Sequence, residues 1–244
     1  MSKKERLDKV VQSQNPHLTR NQIQGFIMQG KVKVDGVVIT KAGTPIFEDA
    51  LLEVDSAVPK YVCRAGFKLE GALEEFKPDI VGKIALDAGL STGGFTDCLL
   101  QYGVKKVYGV DVGYGQVHEK IRKDPRVVVI ERTNFRHVKT VGEKVDLITL
   151  DLSFISVLKV MDAVINVLQP DGILIVLIKP QFEASRDDVG KGGIIKEDDV
   201  HQQVIQQVTQ GIKDRGFTLE GLITSPLAGM DGNKEFLAYF KRIS

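Results

Sequence analysis

The sequence predicts an α/β protein: a large region built on a parallel sheet, preceded by a small α+β unit. Three observations lead to this division. Apolar runs alternate with helical segments from residue 67 onward, the first of these runs ends in a glycine-rich turn, and the first 58 residues follow a different pattern. Residues 1–41 also carry eight Lys or Arg against three Asp or Glu, so a basic excess lies at the N-terminus.

The N-terminal region predicts two helices, a hairpin and a further strand. Apolar residues between 7 and 11 have helical spacing, and Thr19 is placed to cap a second helix. Residues 31–39 alternate and turn at an Asp-Gly pair, which is typical of a hairpin, and residues 50–54 supply another strand. Basic residues of this unit could gather on one face and contact phosphates; a merely solvated charged surface is the alternative.

The larger region predicts a sheet with helices on both faces. Its apolar runs lie near residues 84–87, 107–111, 127–130, 145–150 and 172–178, and its helical candidates near 95–102, 116–123, 155–168 and 197–214. Such alternation implies parallel strands that are buried on both sides. Residues 218–224 and 235–242 would complete the sheet as an antiparallel hairpin.

A loss of periodicity separates the two patterns. Pro59 and Gly66 frame a segment with neither helical nor strand spacing. We therefore expect a small domain at residues 1–58, a linker at 59–66 and the larger domain at 67–244.

Composition argues against several classes of function. The two cysteines, Cys63 and Cys98, provide neither a zinc site nor a disulfide framework, so we expect no metal and a reducing compartment. The longest apolar run, Gly172–Ile178, is far shorter than the roughly 20 residues that cross a bilayer. The first residues lack a secretory apolar region. A soluble cytoplasmic protein without a membrane partner is the expectation.

An acid and a glycine turn end the first strand of the larger region. Asp87 precedes Gly89, and a Gly93-Gly94 pair follows before a helical segment. Glycines let the backbone approach a ligand, and a helix N-terminus offers free N–H groups. Asp111, which ends the second strand, is placed to accept hydrogen bonds from ribose hydroxyls. The spacing is not Gly-x-Gly-x-x-Gly and favours S-adenosylmethionine over a nicotinamide cofactor; a turn without a ligand is the alternative.

Four charged residues are predicted at the carboxyl edge of the sheet. Asp151 and Lys179 follow the fourth and fifth strands, Glu235 opens the last strand, and Lys68 begins the helix that enters the sheet domain. Ligands of open α/β sheets bind at this edge, so convergence favours a site over separate surface ion pairs. Such a cluster could activate a hydroxyl. Residues 151–154 lack the Asp/Asn-Pro-Pro-aromatic pattern of many base methyltransferases, so hydroxyl methylation fits better.

Several segments carry a family resemblance along nearly the whole chain. They are Arg20 to Ile39, Tyr61-Val-Cys-Arg-Ala-Gly-Phe-Lys-Leu69, Asp87 to Asp97, Asp146-Leu-Ile-Thr-Leu-Asp-Leu-Ser-Phe-Ile155, Ile178-Lys-Pro-Gln-Phe-Glu183 and Gly232-Asn-Lys-Glu-Phe236. The first resembles the RNA-binding module of ribosomal proteins and pseudouridine synthases. Together the segments resemble the TlyA-type hemolysin or ribosomal RNA 2′-O-methyltransferase family, which is related to FtsJ-type ribose methyltransferases.

The resemblance implies a Rossmann-like, S-adenosylmethionine-dependent methyltransferase domain with a small N-terminal α+β RNA-binding domain. The implied substrate is a ribose hydroxyl of ribosomal RNA, free or in a ribosomal subunit. The residues that correspond to the catalytic tetrad are Lys68, Asp151, Lys179 and Glu235, with Lys179 acting on the hydroxyl. The expected cofactor-binding residues are Asp87, Gly89, Ser91, Thr92, Gly93, Gly94, Phe95, Asp111, Asn134 and Asp151. The expected RNA-binding residues are Arg6, Arg20, Lys31, Lys33, Lys41 and Arg64.

Two other functions stay open. The family name implies a membrane-damaging protein, which the sequence supports little because no apolar span, amphipathic membrane helix or secretion signal is evident. The other alternative is an RNA-binding ribosome assembly factor that has lost catalysis. The methylated nucleotide and the oligomeric state do not follow from the sequence.

Overall fold

The computed structural model divides the chain into two compact units, Met1–Pro59 and Lys60–Ser244. The residues that it describes are 3–16, 18–28, 30–55, 59–185, 188–190, 192–229 and 232–243. Each unit contains its own buried apolar core. Within the described residues, no helix combines the length and the apolar character that crossing a membrane requires.

The first unit has the predicted helices, hairpin and last strand. Its elements are β1 (Lys4–Arg6), α1 (Leu7–Gln14), α2 (Arg20–Met28), β2 (Val32–Val34), β3 (Val37–Val38), β4 (Pro45–Phe47) and β5 (Leu52–Val54). Thr19 and Gln22 cap α2 reciprocally, since each side chain accepts a hydrogen bond from the other's backbone N–H, at 3.3 Å and 2.8 Å. Asp35 and Gly36 turn the hairpin with φ of 51° and 80°, as a type I′ turn requires. The short antiparallel pair of β1 and β4 was not predicted.

The second unit confirms the predicted alternation of strands and helices. Its elements are α3 (Ala65–Phe76), β6 (Ile84–Ala88), α4 (Gly94–Gln101), β7 (Lys106–Val110), α5 (Glu119–Arg122), β8 (Val127–Ile130), β9 (Val145–Leu150), α6 (Met161–Val167), β10 (Leu168–Ile178), α7 (Pro180–Glu183), α8 (Asp198–Lys213), β11 (Phe217–Thr224) and β12 (Phe236–Arg242), with 3-10 turns at Phe135–His137 and Val157–Val160. The seven strands form one sheet in the order β11-β12-β10-β9-β6-β7-β8. The strands from β10 to β8 in that order are parallel, and the C-terminal hairpin adds two antiparallel strands, as predicted.

Helix α3 begins earlier than the sequence pattern indicates. Ala65 and Gly66, at the end of the predicted linker, already belong to the helix. A side chain at Gly66 would lie 2.4 Å from the ring of Tyr61. Gly66 is therefore required by close packing, and its presence does not mark a break in regular structure.

The sheet separates two cores, and side-chain alternation assigns each strand residue to one of them. Leu86, Leu150 and Ile178 project into the core that α6 and α8 cover. The neighbouring positions on the same strands, among them Ala85 and Leu177, project into the core that α3 and α4 cover. A polar residue at one of the latter positions therefore faces α3 and α4.

Asp87 is such a residue, and it ties three elements together. It is fully buried on β6 and accepts hydrogen bonds from the hydroxyls of Thr96 on α4, at 2.7 Å, and Thr149 on β9, at 3.0 Å. Burial raises the pKa of Asp87 to about 7; the two hydroxyls oppose this shift, and the charge of Asp151 adds to it. Asp87 is the penultimate residue of β6, directly before the chain enters the glycine turn.

Gly89 allows that turn to pass close to the end of β9. Its φ is 92°, and a Cβ there would lie 2.2 Å from the backbone oxygen of Asp151. Only a residue without a side chain fits this approach.

Replacing Gly89 with alanine should destabilise the larger unit more than replacing Gly82 does. Both glycines have positive φ, 92° and 72°, but a Cβ at Gly82 meets nothing within 4 Å. The backbone strain of about 1–2 kcal/mol is shared by both variants, and the clash with Asp151 should add about 1–3 kcal/mol at Gly89 alone. Urea denaturation measures the difference, and equal losses of stability would show that the turn shifts without cost.

The raised pKa of Asp87 predicts that stability falls as pH rises from about 4 to about 7. In this window the folded state keeps a proton that the unfolded state releases, which costs up to about 1.4 kcal/mol per pH unit. Asp87→Asn removes the titration, so the stability of the variant relative to the wild type should increase with pH. Denaturation curves at pH values across the window test this. A constant difference would mean that Asp87 ionises normally.

Candidate active site

The carboxyl edge of the sheet brings together the charged residues expected there. β9 is paired up to the residue before Asp151, while β10 and β12 are paired up to the residues next to Lys179 and Glu235. Continued alternation directs these three side chains toward the face that α3 covers. Lys68 lies on the buried side of α3 and contacts Glu235.

The four residues form two ion pairs. Lys179 Nζ lies 2.6 Å from Asp151 Oδ1, and Lys68 Nζ lies 2.5 Å from Glu235 Oε2. The side chains of the first pair are 11% and 17% exposed, and those of the second are 8% and 3% exposed. Removing such charges from water is costly unless each is paired. The structure therefore holds two compensated lysines at one edge, and the first pair is the more exposed of the two.

Aromatic rings surround the more accessible lysine. Lys179 Nζ also donates a hydrogen bond to Ser153 Oγ at 2.9 Å and lies 5.9 Å from the centre of the Phe182 ring. Phe154 packs against Phe182 with 4.9 Å between ring centres, yet it is 90% exposed and has φ of 64°. A bulky exposed residue in a left-handed conformation is costly, and such outliers concentrate at functional sites. Sequence reasoning did not single out Phe154.

A cavity of about 760 Å³ opens beside the Lys179–Asp151 pair. Five of the expected cofactor-binding residues line it: Gly89, Ser91, Asp111, Asn134 and Asp151. Sequence reasoning missed other lining residues, among them Val112, Gly113, Gln116, Phe135, Leu152 and Ile155. Except for Phe135, which begins a 3-10 turn, they belong to the loops that follow β7 and β9, and these loops have no recognisable spacing.

Asp111 connects the two loops that border the cavity. Its Oδ2 accepts from Ser91 N at 2.7 Å and its Oδ1 from Gly113 N at 2.6 Å. A carboxylate can accept about four hydrogen bonds, so Asp111 retains capacity for ribose hydroxyls. Asn134 Oδ1 accepts from Arg136 N at 3.0 Å, which leaves an amide with two donor hydrogens at the wall.

The cavity wall fits S-adenosylmethionine. An acid and an amide at one end suit the polar edges of an adenosine group, and apolar residues such as Phe135 and Ile155 suit the base. Asp151 lies at the cavity wall and is at the same time the partner of Lys179. A cofactor in the cavity would thus reach the ion pair.

The other expected cofactor-binding residues do not line the cavity. They are Asp87, Thr92, Gly93, Gly94 and Phe95. Asp87 and Phe95 are buried, and the carboxylate of Asp87 is occupied by two hydroxyls. Gly93, with φ of 96°, precedes the first turn of α4. These residues contribute to the structure around the glycine turn, while Gly89 and Ser91 of the turn form part of the cavity surface.

The expected RNA-binding residues are distributed over both units. Arg6 and Arg20 both approach Asp8, at 2.9 Å and 3.8 Å. The remaining three of the first unit are Lys31, 3.8 Å from Asp55, Lys33, 3.5 Å from Glu53, and Lys41, which is exposed. Arg64 is exposed at the start of α3 in the second unit. The first unit therefore presents basic side chains on its helical part and on its sheet.

Known protein families match both units. Residues 61–242 match the FtsJ-like methyltransferase family, and residues 5–48 match the S4 domain family. Hemolysin A of Brachyspira hyodysenteriae is 42% identical over 238 residues, which cover 96% of this chain and 99% of that protein. The 16S/23S rRNA (cytidine-2′-O)-methyltransferase TlyA of Mycobacterium tuberculosis is 37% identical over 244 residues, covering 99% of this chain and 91% of that protein.

A solved structure agrees with these matches. A Streptococcus thermophilus protein whose name contains the word hemolysin has a TM-score of 0.78 and 38% identity, covering 100% of this chain and 90% of that one. The predicted methyltransferase fold and family are confirmed. The chain therefore belongs to the FtsJ-like methyltransferases of the TlyA and hemolysin A type, S-adenosylmethionine-dependent enzymes that carry an N-terminal S4 domain.

Proposed function

We propose that this chain methylates the ribose 2′-oxygen of a cytidine in ribosomal RNA. The observation that carries the proposal is the Lys179–Asp151 pair at the wall of the cofactor cavity. The name of the Mycobacterium tuberculosis relative describes the same reaction, and the S4 domain supports an RNA substrate.

The residues at the edge of the sheet suit the chemistry of a hydroxyl acceptor. S-adenosylmethionine, when bound, supplies an electrophilic methyl group. A ribose hydroxyl is a weak nucleophile, so the protein must orient it and remove its proton. In this proposal Lys179 first releases one proton to solvent and then accepts the proton of the hydroxyl, and Asp151 stabilises the ammonium that forms, which is the ion pair of the structure. Ser153 holds the same nitrogen from another side and fixes its direction.

Lys68, Glu235 and Phe154 serve the target nucleotide in this proposal. The buried Lys68–Glu235 pair would help to hold the ribose of the target nucleotide, and because the two charges compensate each other, neither is left unpaired. Phe154 presents an exposed ring against Phe182, the ring nearest to Lys179, and offers a stacking surface for a base turned out of its helix. Stacking would place the attached ribose at the lysine.

We assign RNA docking to the small domain and catalysis to the large one. The proposed division is a domain at residues 1–58, a linker at 59–66 and a catalytic domain at 67–244. The basic residues of the first unit would contact RNA phosphates, and Arg64 would add a contact from the second. Ribosomal RNA as substrate makes the cytoplasm the proposed compartment.

The two alternative functions have distinct signatures. A membrane-active protein, which the name of the Brachyspira relative suggests, would release dye from liposomes at nanomolar doses. A ribosome assembly factor without catalysis would bind RNA and cofactor but transfer no methyl group. The Lys179–Asp151 pair, whose Asp151 lines the cofactor cavity, favours the enzyme over both.

Lys179→Ala should lower methyl transfer at least about 100-fold, because the acceptor loses its general base. Lys179→Arg should be equally inactive, since a guanidinium keeps the charge but does not accept a proton. Tritiated methyl incorporation into ribosomal RNA measures both, with calorimetry showing that cofactor affinity is retained. Lys105→Ala, at an exposed lysine before β7, is the matched control. Full activity of Lys179→Arg would reduce the role of Lys179 to its charge, and full activity of Lys179→Ala would remove that role.

Replacing Arg20 and Lys41 with glutamine in the full chain should weaken RNA binding and flatten its salt dependence. The slope of log affinity against log salt should decrease by about 0.7 for each phosphate of single-stranded RNA that the variant no longer neutralises. The control replaces Lys105 and Lys213, exposed residues of the larger unit, and removes the same charge. Filter binding over a range of salt concentrations measures the slopes. Identical slopes for the two double variants would contradict docking through the S4 domain.

A further inference from the structure

The sheet places the backbones of Asp151 and Lys179. Asp151 N donates to Ala88 O at 3.0 Å, and Ile178 pairs with Phe236 on β12. The sheet does not by itself fix how the two side chains meet. The parallel ladder between β9 and β10 ends at Leu150 and Val176. Beyond these positions the chain forms an irregular loop after β9 and the short helix α7 after β10. The geometry of the ion pair therefore depends on contacts between these two connecting segments as well as on the sheet.

Besides the ion pair and the contact of the Ser156 hydroxyl with Glu183, three contacts join the two segments. They are the hydrogen bond from Lys179 Nζ to Ser153 Oγ at 2.9 Å, the ring contact between Phe154 and Phe182 at 4.9 Å, and the hydrogen bond from Val157 N to Glu183 Oε1 at 2.8 Å. The first two involve exposed residues of the loop. Only the third is buried, with Glu183 at 8% exposure. A hydrogen bond to a carboxylate is strongest where water is excluded, so this contact is the firmest of the three.

Glu183 meets the loop at a point where the backbone needs an acceptor. Val157 begins the 3-10 turn that follows the loop, and the first N–H groups of such a turn have no partner inside it. Burial raises the pKa of Glu183, while the Ser156 hydroxyl and the Val157 N–H oppose this shift. The carboxyl group of Glu183 is therefore buried at the place where it accepts a hydrogen bond from the first residue of the 3-10 turn.

Helix α7 transmits this contact to Lys179. The helix consists of Pro180–Glu183, and proline at its first position is already in a helical conformation. Glu183 therefore stands one short turn after Lys179 on a stiff segment.

We propose that Glu183 is a positioning residue that holds the Asp151 loop against α7 and so sets the Lys179–Asp151 geometry. The inference rests on the proposed function, because it assigns Glu183 a purpose in the same reaction. Glu183 does not touch the substrate and acts through Val157 and the loop.

Glu183→Ala should lower kcat for methyl transfer about 100-fold, the effect of misplacing a reacting group by about 1 Å. The Kd for S-adenosylmethionine should change less than kcat, because Asp111, Gly113 and Asn134, which also line the cavity, lie outside the loosened loop. Affinity for RNA through the S4 domain should be retained. Glu183→Gln should recover most of the activity, since its amide oxygen still accepts from Val157 N. Hydrogen–deuterium exchange of residues 151–160 should rise in Glu183→Ala and stay near the wild type in Glu183→Gln.

Thr209→Val is the matched control for simple destabilisation. Thr209 is a buried residue of α8, 8% exposed, whose hydroxyl donates to Ile205 O at 2.7 Å. The variant should be less stable, with unchanged kcat and unchanged exchange in residues 151–160. A wild-type kcat in Glu183→Ala, or an equal loss of kcat in Thr209→Val, would overturn the positioning role. If the wild type itself transferred no methyl group, the proposed function would fail, while the exchange measurements would still decide whether Glu183 holds the loop.

Discussion

The Lys179–Asp151 ion pair depends on two strands that end at the same edge of the sheet. β9 and β10 run parallel, so the residues after them meet although they are far apart in the chain. Alternation then selects the face: a shift of register by one residue would turn both side chains toward α6 and α8 and away from Lys68. The cofactor cavity, the second ion pair and the aromatic rings all take their positions from this edge.

Charge balance decides which groups the edge can hold. Two lysines and two carboxylates compensate each other, which lowers the cost of keeping them away from water. Asp87, directly beneath the glycine turn, would add another negative charge beside Asp151. Burial raises its pKa to about 7, so near neutral pH this carboxyl is protonated for part of the time and the excess charge is reduced.

The sequence predicts the elements whose signals are local and periodic. The strands from β6 to β10, the Asp-Gly hairpin and the capped helix α2 all follow from spacing and turn chemistry. The pair of β1 and β4 does not, because Lys4-Glu5-Arg6 has no apolar alternation and pairs only in its tertiary context. Helix α7 is too short for any period to be visible.

The candidate site is predictable in part for the same reason. Charged residues after strands predict an edge cluster, because the topology of parallel sheets brings such positions together. A sequence motif does not reveal which side of a loop each residue faces. The sequence motif therefore does not indicate that Asp87 is buried and outside the cofactor cavity. Phe154 and Glu183 have no distinctive spacing, and the structure identifies them as functional candidates through the exposure and positive φ of Phe154 and the burial of Glu183.

The most direct measurement is to identify the nucleoside that receives the methyl group. The wild-type protein would be incubated with tritiated S-adenosylmethionine in three separate reactions, which contain small subunits, large subunits or protein-free ribosomal RNA. The RNA would then be digested to nucleosides and separated by chromatography. Two lysine–carboxylate pairs acting on a ribose hydroxyl predict label in a 2′-O-methylnucleoside, and the proposed function predicts that this nucleoside is 2′-O-methylcytidine. Label in a base-methylated nucleoside, or no label in any preparation despite cofactor binding, would contradict that chemistry.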